Sequence, residues 1–347
     1  MIEVKKEGIL LNKTDLDFEN EGVLNPAAIR VGNEVHMYYR AVSKGNFSTI
    51  GYCRLNGPTT VIERHEVPLV KPEFEYELQG LEDARIVNID GLYYLSYTAY
   101  DGISALGALA TSTNLLDFEK KGIIVPQLTY EEFKQLAGTR KDLNEKYFRY
   151  YKLEYIFKRL NQRVYLWDKN VIFFPRRIHG NLVFLHRIKP GIQLVMVKEL
   201  EELTPKYWED YIKNLPDHIV MESQYLHEYS YIGGGCPPIE TEHGWLLIYH
   251  SVEDTPVGYV YSACAALLDL NDPLKVISRL PYALFSPEFD WELCGEVNNV
   301  VFPTGAVVFD GRLYIYYGAA DERIATASIN FNDLVNELLN NKKNENL

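Results

Sequence analysis

Basic residues are the first shortage in this 347-residue chain: 35 Lys and Arg stand against 48 Asp and Glu, a formal net charge of −13. That balance leaves no excess of cations to neutralise phosphates, which argues against a nucleic-acid partner and favours a neutral or weakly charged ligand. Cysteine is scarce too. Cys53, Cys236, Cys264 and Cys294 form no C-x-x-C pair and sit in or beside apolar segments, so the expectation is four reduced, mostly buried thiols. Long apolar runs are missing: no window reaches the roughly 18 residues a membrane-spanning helix needs, and no membrane partner is expected. The opening stretch "MIEVKKEGILLNKTDLDFENEG" has no apolar core followed by a cleavage site, so a cytoplasmic protein is expected. The eight histidines show no H-E-x-x-H or similar ligand spacing, so no metal is expected. "GGG" at 233–235 lacks the Gly-Lys-Ser/Thr of a P-loop and reads instead as close backbone approach.

Aromatic residues are abundant, at 13% with 26 Tyr, which suits strand faces and sugar-binding surfaces alike. They recur in a pattern: a turn ending in Gly, a short apolar and aromatic strand, then a polar tip. The pattern appears in "RVGNEVHMYYRA", "NIDGLYYLSYTAYD", "RIHGNLVFLHRI", "TEHGWLLIYHSVE" and "VFDGRLYIYYGAAD", around Gly32, Gly91, Gly180, Gly244 and Gly311. An apolar strand precedes each turn, so each unit reads as a hairpin. The tips end in Arg40, Asp101, His186 with Arg187, His250 and Asp321. Repetition at this spacing predicts an all-β chain folded as a five-bladed β-propeller, one domain over residues 1–347. A β-sandwich with coincidental hairpins would not repeat the same tip in every unit.

One interval is longer. Across about 128–165, Phe133, Leu136, Tyr147, Tyr150, Leu153, Ile156 and Phe157 recur at helical steps, which predicts a helical insertion between two blades. It reads first as a packed decoration, with a lid or a subunit contact as the functional alternative; a homo-oligomer is compatible with the chain. Further helices are expected near "ELTPKYWEDYIKNL" and at "NFNDLVNELLNN", ahead of a frayed tail.

If the tips converge, one mouth collects Arg40, Glu82, Asp83, Arg85, Asp101, Lys169, Arg187, His250 and Asp321. Carboxylates among cations and aromatics suit acid catalysis at a glycosidic bond, with water or an anion attacking the opposite face of the sugar.

The segments "NPAAIR", "LEDARI", "KNVIFFPRRIHG", "IGGGCPPIETEHGWLLIYH", "ALLDLNDPLKV" and "NVVFPTGAVVFDGRLYIYYGAAD" give the chain, over roughly residues 20 to 330, a resemblance to glycoside hydrolase family 130. That family holds β-mannoside phosphorylases and β-1,2-mannosidases, inverting enzymes on five-bladed propellers. The resemblance implies a β-mannoside oligosaccharide as substrate and no cofactor, with inorganic phosphate as co-substrate in a phosphorylase. It implies Asp83 as general acid, its proton passing through a sugar hydroxyl, with Ala84 where the family has proline. Asn25, Arg40, Asp83 and Asp321 would meet the mannose at the cleaved bond, and Arg85 and Asp101 join them as substrate-side candidates from the tip pattern. The phosphate site of the family, two arginines, a lysine, a histidine and a tyrosine, maps here onto Lys169 before Asn170, Arg187, Tyr231, His250 and Tyr261. One cation is thus replaced by Tyr231, and one guanidinium fork by the point charge of Lys169. Glu228, and after it Glu222, would offer a base for activating water. The expectation is therefore inverting hydrolysis of β-mannosides. Phosphorolysis to mannose 1-phosphate is the alternative, and a non-catalytic sugar-binding propeller comes third.

Overall fold

The computed structural model describes residues 2–151, 163–256 and 258–344. The first strand, β1 (Lys5–Leu11), is held back for the last sheet. β2 (Gly22–Val31), β3 (Glu34–Ser43), β4 (Phe47–Asn56) and β5 (Thr60–Arg64) form a first antiparallel unit. A second unit comprises β6 (Gly80–Ile89), β7 (Leu92–Tyr100), β8 (Ala105–Ser112) and β9 (Glu119–Ile123). The third comprises β10 (Lys169–Phe173), β11 (Leu182–Arg187), β12 (Ile192–Val197) and β13 (Ile219–Met221). In the fourth, the first strand is split into β14 (Tyr231–Gly234) and β15 (Ile239–Thr241), which pair with β16 (Gly244–Thr255). That strand is followed by β17 (Gly258–Leu268) and β18 (Val276–Arg279). The fifth comprises β19 (Val301–Phe309), β20 (Arg312–Ala319) and β21 (Arg323–Asn330), and β1 completes it.

Local turn chemistry explains the hairpins. At Asp90-Gly91, His179-Gly180 and Asp310-Gly311 both residues have positive φ, the two-residue turn whose twist matches that of the flanking strands. Each unit then bonds to the next. Ser48 N–H donates to Gln79 O, Gly107 N–H to Asp168 O, Ile232 N–H to Pro190 O and Tyr261 N–H to Asn299 O. Val23 N–H donates to Glu322 O, which joins the first unit to the fifth. Small residues let the sheets close up: a Cβ added to Gly107 in β8 would lie 2.3 Å from Val171 in the next unit.

A buried carboxylate recurs at matching places. Glu77 accepts from Tyr97 Oη on the second strand of its unit and from Lys120 on the fourth. Glu228 accepts from Tyr249 and Arg279, Glu292 from Tyr317 and Lys6, and Glu19 from Tyr39 and Arg64. Glu77, Glu228 and Glu292 also each accept two backbone N–H groups from the residues three and four before them. A buried carboxylate met by this many donors is compensated for its lost hydration. The third unit substitutes His186, bonded to Asp168 and Tyr211.

The insertion begins with helix α1 (Tyr130–Ala137), capped by Thr129, and continues in a 3-10 turn over Glu145–Tyr151. Phe133 and Tyr147 are buried against Phe184 of β11 and Trp208 of helix α2 (Pro205–Lys213) within one core cluster. Leu153, Ile156 and Phe157 lie outside the described residues. A short helix, α3 (Asp290–Leu293), precedes the fifth unit, and the last described element is helix α4 (Phe331–Asn344). Cys53, Cys236 and Cys264 are buried free thiols, whereas Cys294 is exposed. No helix among the described residues is long and apolar enough to cross a membrane.

Candidate active site

The first strands of three units carry part of the site because each breaks its register at one point. Bulges fall between Leu24 and Ala27 in β2, between Glu82 and Arg85 in β6 and between Lys169 and Ile172 in β10. Inside each bulge sits one residue with left-handed backbone: Asn25 at φ 48, Asp83 at φ 50 and Asn170 at φ 55. Non-glycine residues adopt this conformation at a cost, and a bulge uses it to re-aim a side chain that the regular pleat would send elsewhere. All three line one cavity of about 260 Å³.

Within it, Asn25 Nδ2 donates to Asp83 Oδ1 at 2.6 Å. Glu82 bridges Arg40 and Lys169, each at 2.9 Å. Burial pushes its carboxyl up, but those two cations outweigh it and hold it at about 2. Asp321 is raised to about 6: burial dominates, Arg40 opposes, and Asp83 and Glu82 add to the rise. Arg187, Tyr231 and Tyr261 also line the cavity, with the two tyrosine hydroxyls 2.9 Å apart. His250 lies behind Arg187, its Nε2 3.4 Å from Nη1, and its pKa falls well below the ordinary range through burial and the charges of Arg187 and Arg85. The glycine triplet makes this packing possible. A Cβ on Gly233 would stand 2.5 Å from the His250 ring and 2.8 Å from Arg187. Arg187 Nε, Arg85 Nη2, His250 Nδ1, Asn25 Oδ1 and Asn170 Oδ1 are buried without a hydrogen-bond partner among the described residues. Of these, Asn25, Asn170 and Arg187 line the cavity, and their unmet acceptors and donor are what a polar or anionic ligand would satisfy.

Several sequence candidates stand elsewhere. Glu228 is one of the recurring buried carboxylates, both oxygens already engaged, and does not line the cavity. Glu222 lies in a separate recess beside Gln224 and Arg279. Asp101 accepts from the N–H groups of Ile103 and Ser104 and so shapes its own turn. Arg85 is buried outside the cavity lining, donating to the carbonyls of Gly235, Asp83 and Ala84. Lys169 does reach the cavity, but its ammonium is paired with Glu82. Lys189, Trp167 and Phe302 line the cavity too, and the tip pattern gave no sign of them. His227, Glu228 and Cys264 come within 4.8 Å of one another, yet Arg279 already neutralises Glu228. A larger recess of about 830 Å³, between the N-terminal residues and α4, holds none of the candidates.

The fold and this carboxylate-and-cation cavity are those of a carbohydrate-active enzyme. A sequence-family model for β-1,4-mannooligosaccharide phosphorylase, glycoside hydrolase family 130, matches residues 11–340. The chain belongs to that family and is an enzyme of the β-mannoside-cleaving class, hydrolase or phosphorylase. It is 33% identical over 352 residues to a 1,2-β-oligomannan phosphorylase of Thermoanaerobacter sp. (strain X514), covering 96% of this chain and 99% of the relative. A β-1,2-mannobiose phosphorylase from Listeria innocua, solved with β-1,2-mannobiose, superposes with TM-score 0.73 at 21% identity, covering 97% of this chain and 99% of the other. A structure described with family members that hydrolyse β-1,2-mannosidic linkages in Candida mannan superposes equally well. Its TM-score is 0.73 at 22% identity, over 95% and 94% of the two chains. The fold alone therefore does not separate hydrolysis from phosphorolysis.

Proposed function

We propose that this chain is an inverting phosphorylase of β-1,2-linked mannosides, built as a five-bladed ring whose inner strands present the reacting groups at one mouth. The succession of unit-to-unit hydrogen bonds, and the completion of the fifth unit by β1, support the ring. Asn25, Arg40 and Asp321 hold the mannosyl unit, and phosphate lies toward Arg187 and Tyr261. A phosphate oxygen attacks C1 from the face opposite the leaving oxygen. The C1–O bond to the rest of the oligosaccharide breaks, and Asp83 supplies the proton that the leaving oxygen takes up, through a sugar hydroxyl as the family resemblance implies. The products are mannose 1-phosphate of inverted configuration and a mannoside one unit shorter. No cofactor enters.

The observation that carries phosphorolysis over hydrolysis is the make-up of the cavity. Its carboxylates among the described residues are Glu82, Asp83 and Asp321, all within the field of Arg40. The rest of the polar lining is basic (Lys169, Arg187, Lys189), phenolic (Tyr231, Tyr261), amide (Asn25, Asn170) or indole (Trp167), so it favours an anion and adds no further carboxylate as a base for water. The hydrolytic expectation depended on Glu228 or Glu222; Glu228 is paired with Arg279, and Glu222 lines a separate recess. The β-1,2 linkage follows the similarity to the oligomannan phosphorylase. The test is incubation with β-1,2-mannobiose with and without phosphate. Mannose 1-phosphate formed only with phosphate is expected; mannose released at the same rate in both would reject phosphorolysis.

A further inference from the structure

Position 231, where the family resemblance calls for a lysine, holds a tyrosine, yet two basic side chains meet the ring of Tyr231. Lys189 Nζ lies 3.8 Å from its centroid and the Arg187 guanidinium carbon 5.2 Å from it. Both residues line the cavity that contains Asp83. Lys189 comes from the turn between β11 and β12, more than forty residues upstream in the chain of Tyr231.

That turn is built to a fixed shape. Ile188 N–H donates to Gln193 Oε1 at 2.7 Å, and Gln193 Nε2 donates back to Ile188 O and on to Tyr147 Oη, each at 3.0 Å. On the other flank, Ile232 N–H of β14 donates to Pro190 O at 3.0 Å. Gly191 permits the approach: a Cβ there would lie 2.6 Å from Tyr147 Oη and 2.7 Å from Met221 O. With the backbone of the turn already fixed, only the side chain of Lys189 has freedom left to lose when it engages a ligand.

We propose that Lys189 is the phosphate-binding cation of this enzyme, supplied from the β11–β12 turn in place of one at position 231, with the Tyr231 ring as its platform. The assignment rests on the phosphorylase reading. Phosphate then sits against Arg187, Lys189 and the Tyr261 hydroxyl, while Lys169 stays neutralised by Glu82. Burial, with Arg187 and Lys169 nearby, lowers the Lys189 amine to about 6. The amine is therefore mostly neutral at pH 7.5 before phosphate arrives, and a bound phosphate dianion draws a proton onto it.

The test is phosphorolysis kinetics of wild type, Lys189→Met and Lys189→Arg, with folding checked by circular dichroism. In Lys189→Met the KM for phosphate should rise roughly 10- to 100-fold, the scale of a lost charged hydrogen bond. The KM for mannoside should stay unchanged, and Lys189→Arg should recover part of the loss. Calorimetry of inorganic phosphate binding at pH 7.5, in buffers of different ionisation enthalpy, should give net proton uptake by wild type that Lys189→Met lacks. A phosphate KM within twofold of wild type in Lys189→Met overturns the assignment of Lys189 and leaves phosphorolysis standing. A wild type that releases mannose without phosphate overturns both. If Lys189→Met does not fold, Lys189→Gln is judged on the same criteria; unchanged phosphate KM in whichever variant folds rejects the proposal.

Discussion

Tyr249 donates its hydroxyl to Glu228 at 2.7 Å, and the same relation joins Tyr97 to Glu77, Tyr317 to Glu292 and Tyr39 to Glu19. A glutamate that repeats in four units, each time with a strand tyrosine and a cation from the outermost strand, is part of the scaffold. Removing one partner of a buried pair leaves the other charge uncompensated, at a cost of about 3–5 kcal/mol. Glu228→Ala should therefore lower the melting temperature, and Glu77→Ala should do the same. Turnover per folded molecule should stay within about threefold of wild type in both, since neither contacts the reacting atoms. A loss of kcat in Glu228→Ala at unchanged melting temperature would return Glu228 to the role of base.

Asp83 sits in a strained backbone conformation with its carboxylate held by Asn25. As the proton source, its removal matters most where the leaving group is a poor one. Asp83→Asn should cut kcat on mannobiose by roughly 10²–10⁴-fold, the range of general acid catalysis, while folding is kept. On an aryl β-mannoside, whose phenolate departs without help, the loss should be far smaller. Equal losses on both substrates would mean that Asp83 binds sugar rather than moving a proton.

The hairpins were legible because turn chemistry is local: Asp90-Gly91 and Asp310-Gly311 announce their conformations without reference to the rest of the chain. Arg40, Arg187 and Asp321 could be gathered from the sequence because they are tips of repeated units, whereas Asn25 and the role of Asp83 came with the family resemblance. Glu228 misled because a glutamate beside an active-site motif looks the same whether it is free or buried. A signal existed: Glu19, Glu77 and Glu228 precede their tyrosine partners by 20, 20 and 21 residues. Lys189 had no such signal. It meets Tyr231 only because the β11–β12 turn folds back onto β14, and no spacing rule encodes that contact.

The site should cost the protein stability in a pH-dependent way. Asp321, raised to about 6 from an ordinary value near 4, holds its proton more tightly folded than unfolded. Its stabilising contribution is complete below about pH 4 and is lost as pH rises through 6. Asp321→Asn should therefore melt higher than wild type at pH 8, and the gap should close toward pH 4. Lys189, lowered to about 6 from about 10.4, has the opposite slope: the cost of charging it is complete below pH 6 and relieved as pH climbs toward 10. Lys189→Met should gain most in melting temperature at pH 5 to 6. Melting curves for both variants across pH 4 to 10 check this, and gains that do not change with pH would contradict both shifts.

The insertion has a second duty besides covering apolar surface. Tyr147 is buried in the core shared with β11 and α2, and its hydroxyl accepts from Gln193, the residue that clamps the Lys189 turn. Tyr147→Phe keeps the ring and its packing but leaves Gln193 Nε2 with Ile188 O alone. One neutral hydrogen bond is worth about 0.5–1.5 kcal/mol, so the turn should loosen without the domain unfolding. The expected result is a rise of roughly two- to tenfold in the KM for phosphate, with the KM for mannoside unchanged and the melting temperature lowered only slightly. Combining Tyr147→Phe with Lys189→Met should add almost nothing to the phosphate KM of Lys189→Met alone, because both changes act through the same ammonium group. Additive effects in that double variant would place Tyr147 outside the support of the Lys189 turn.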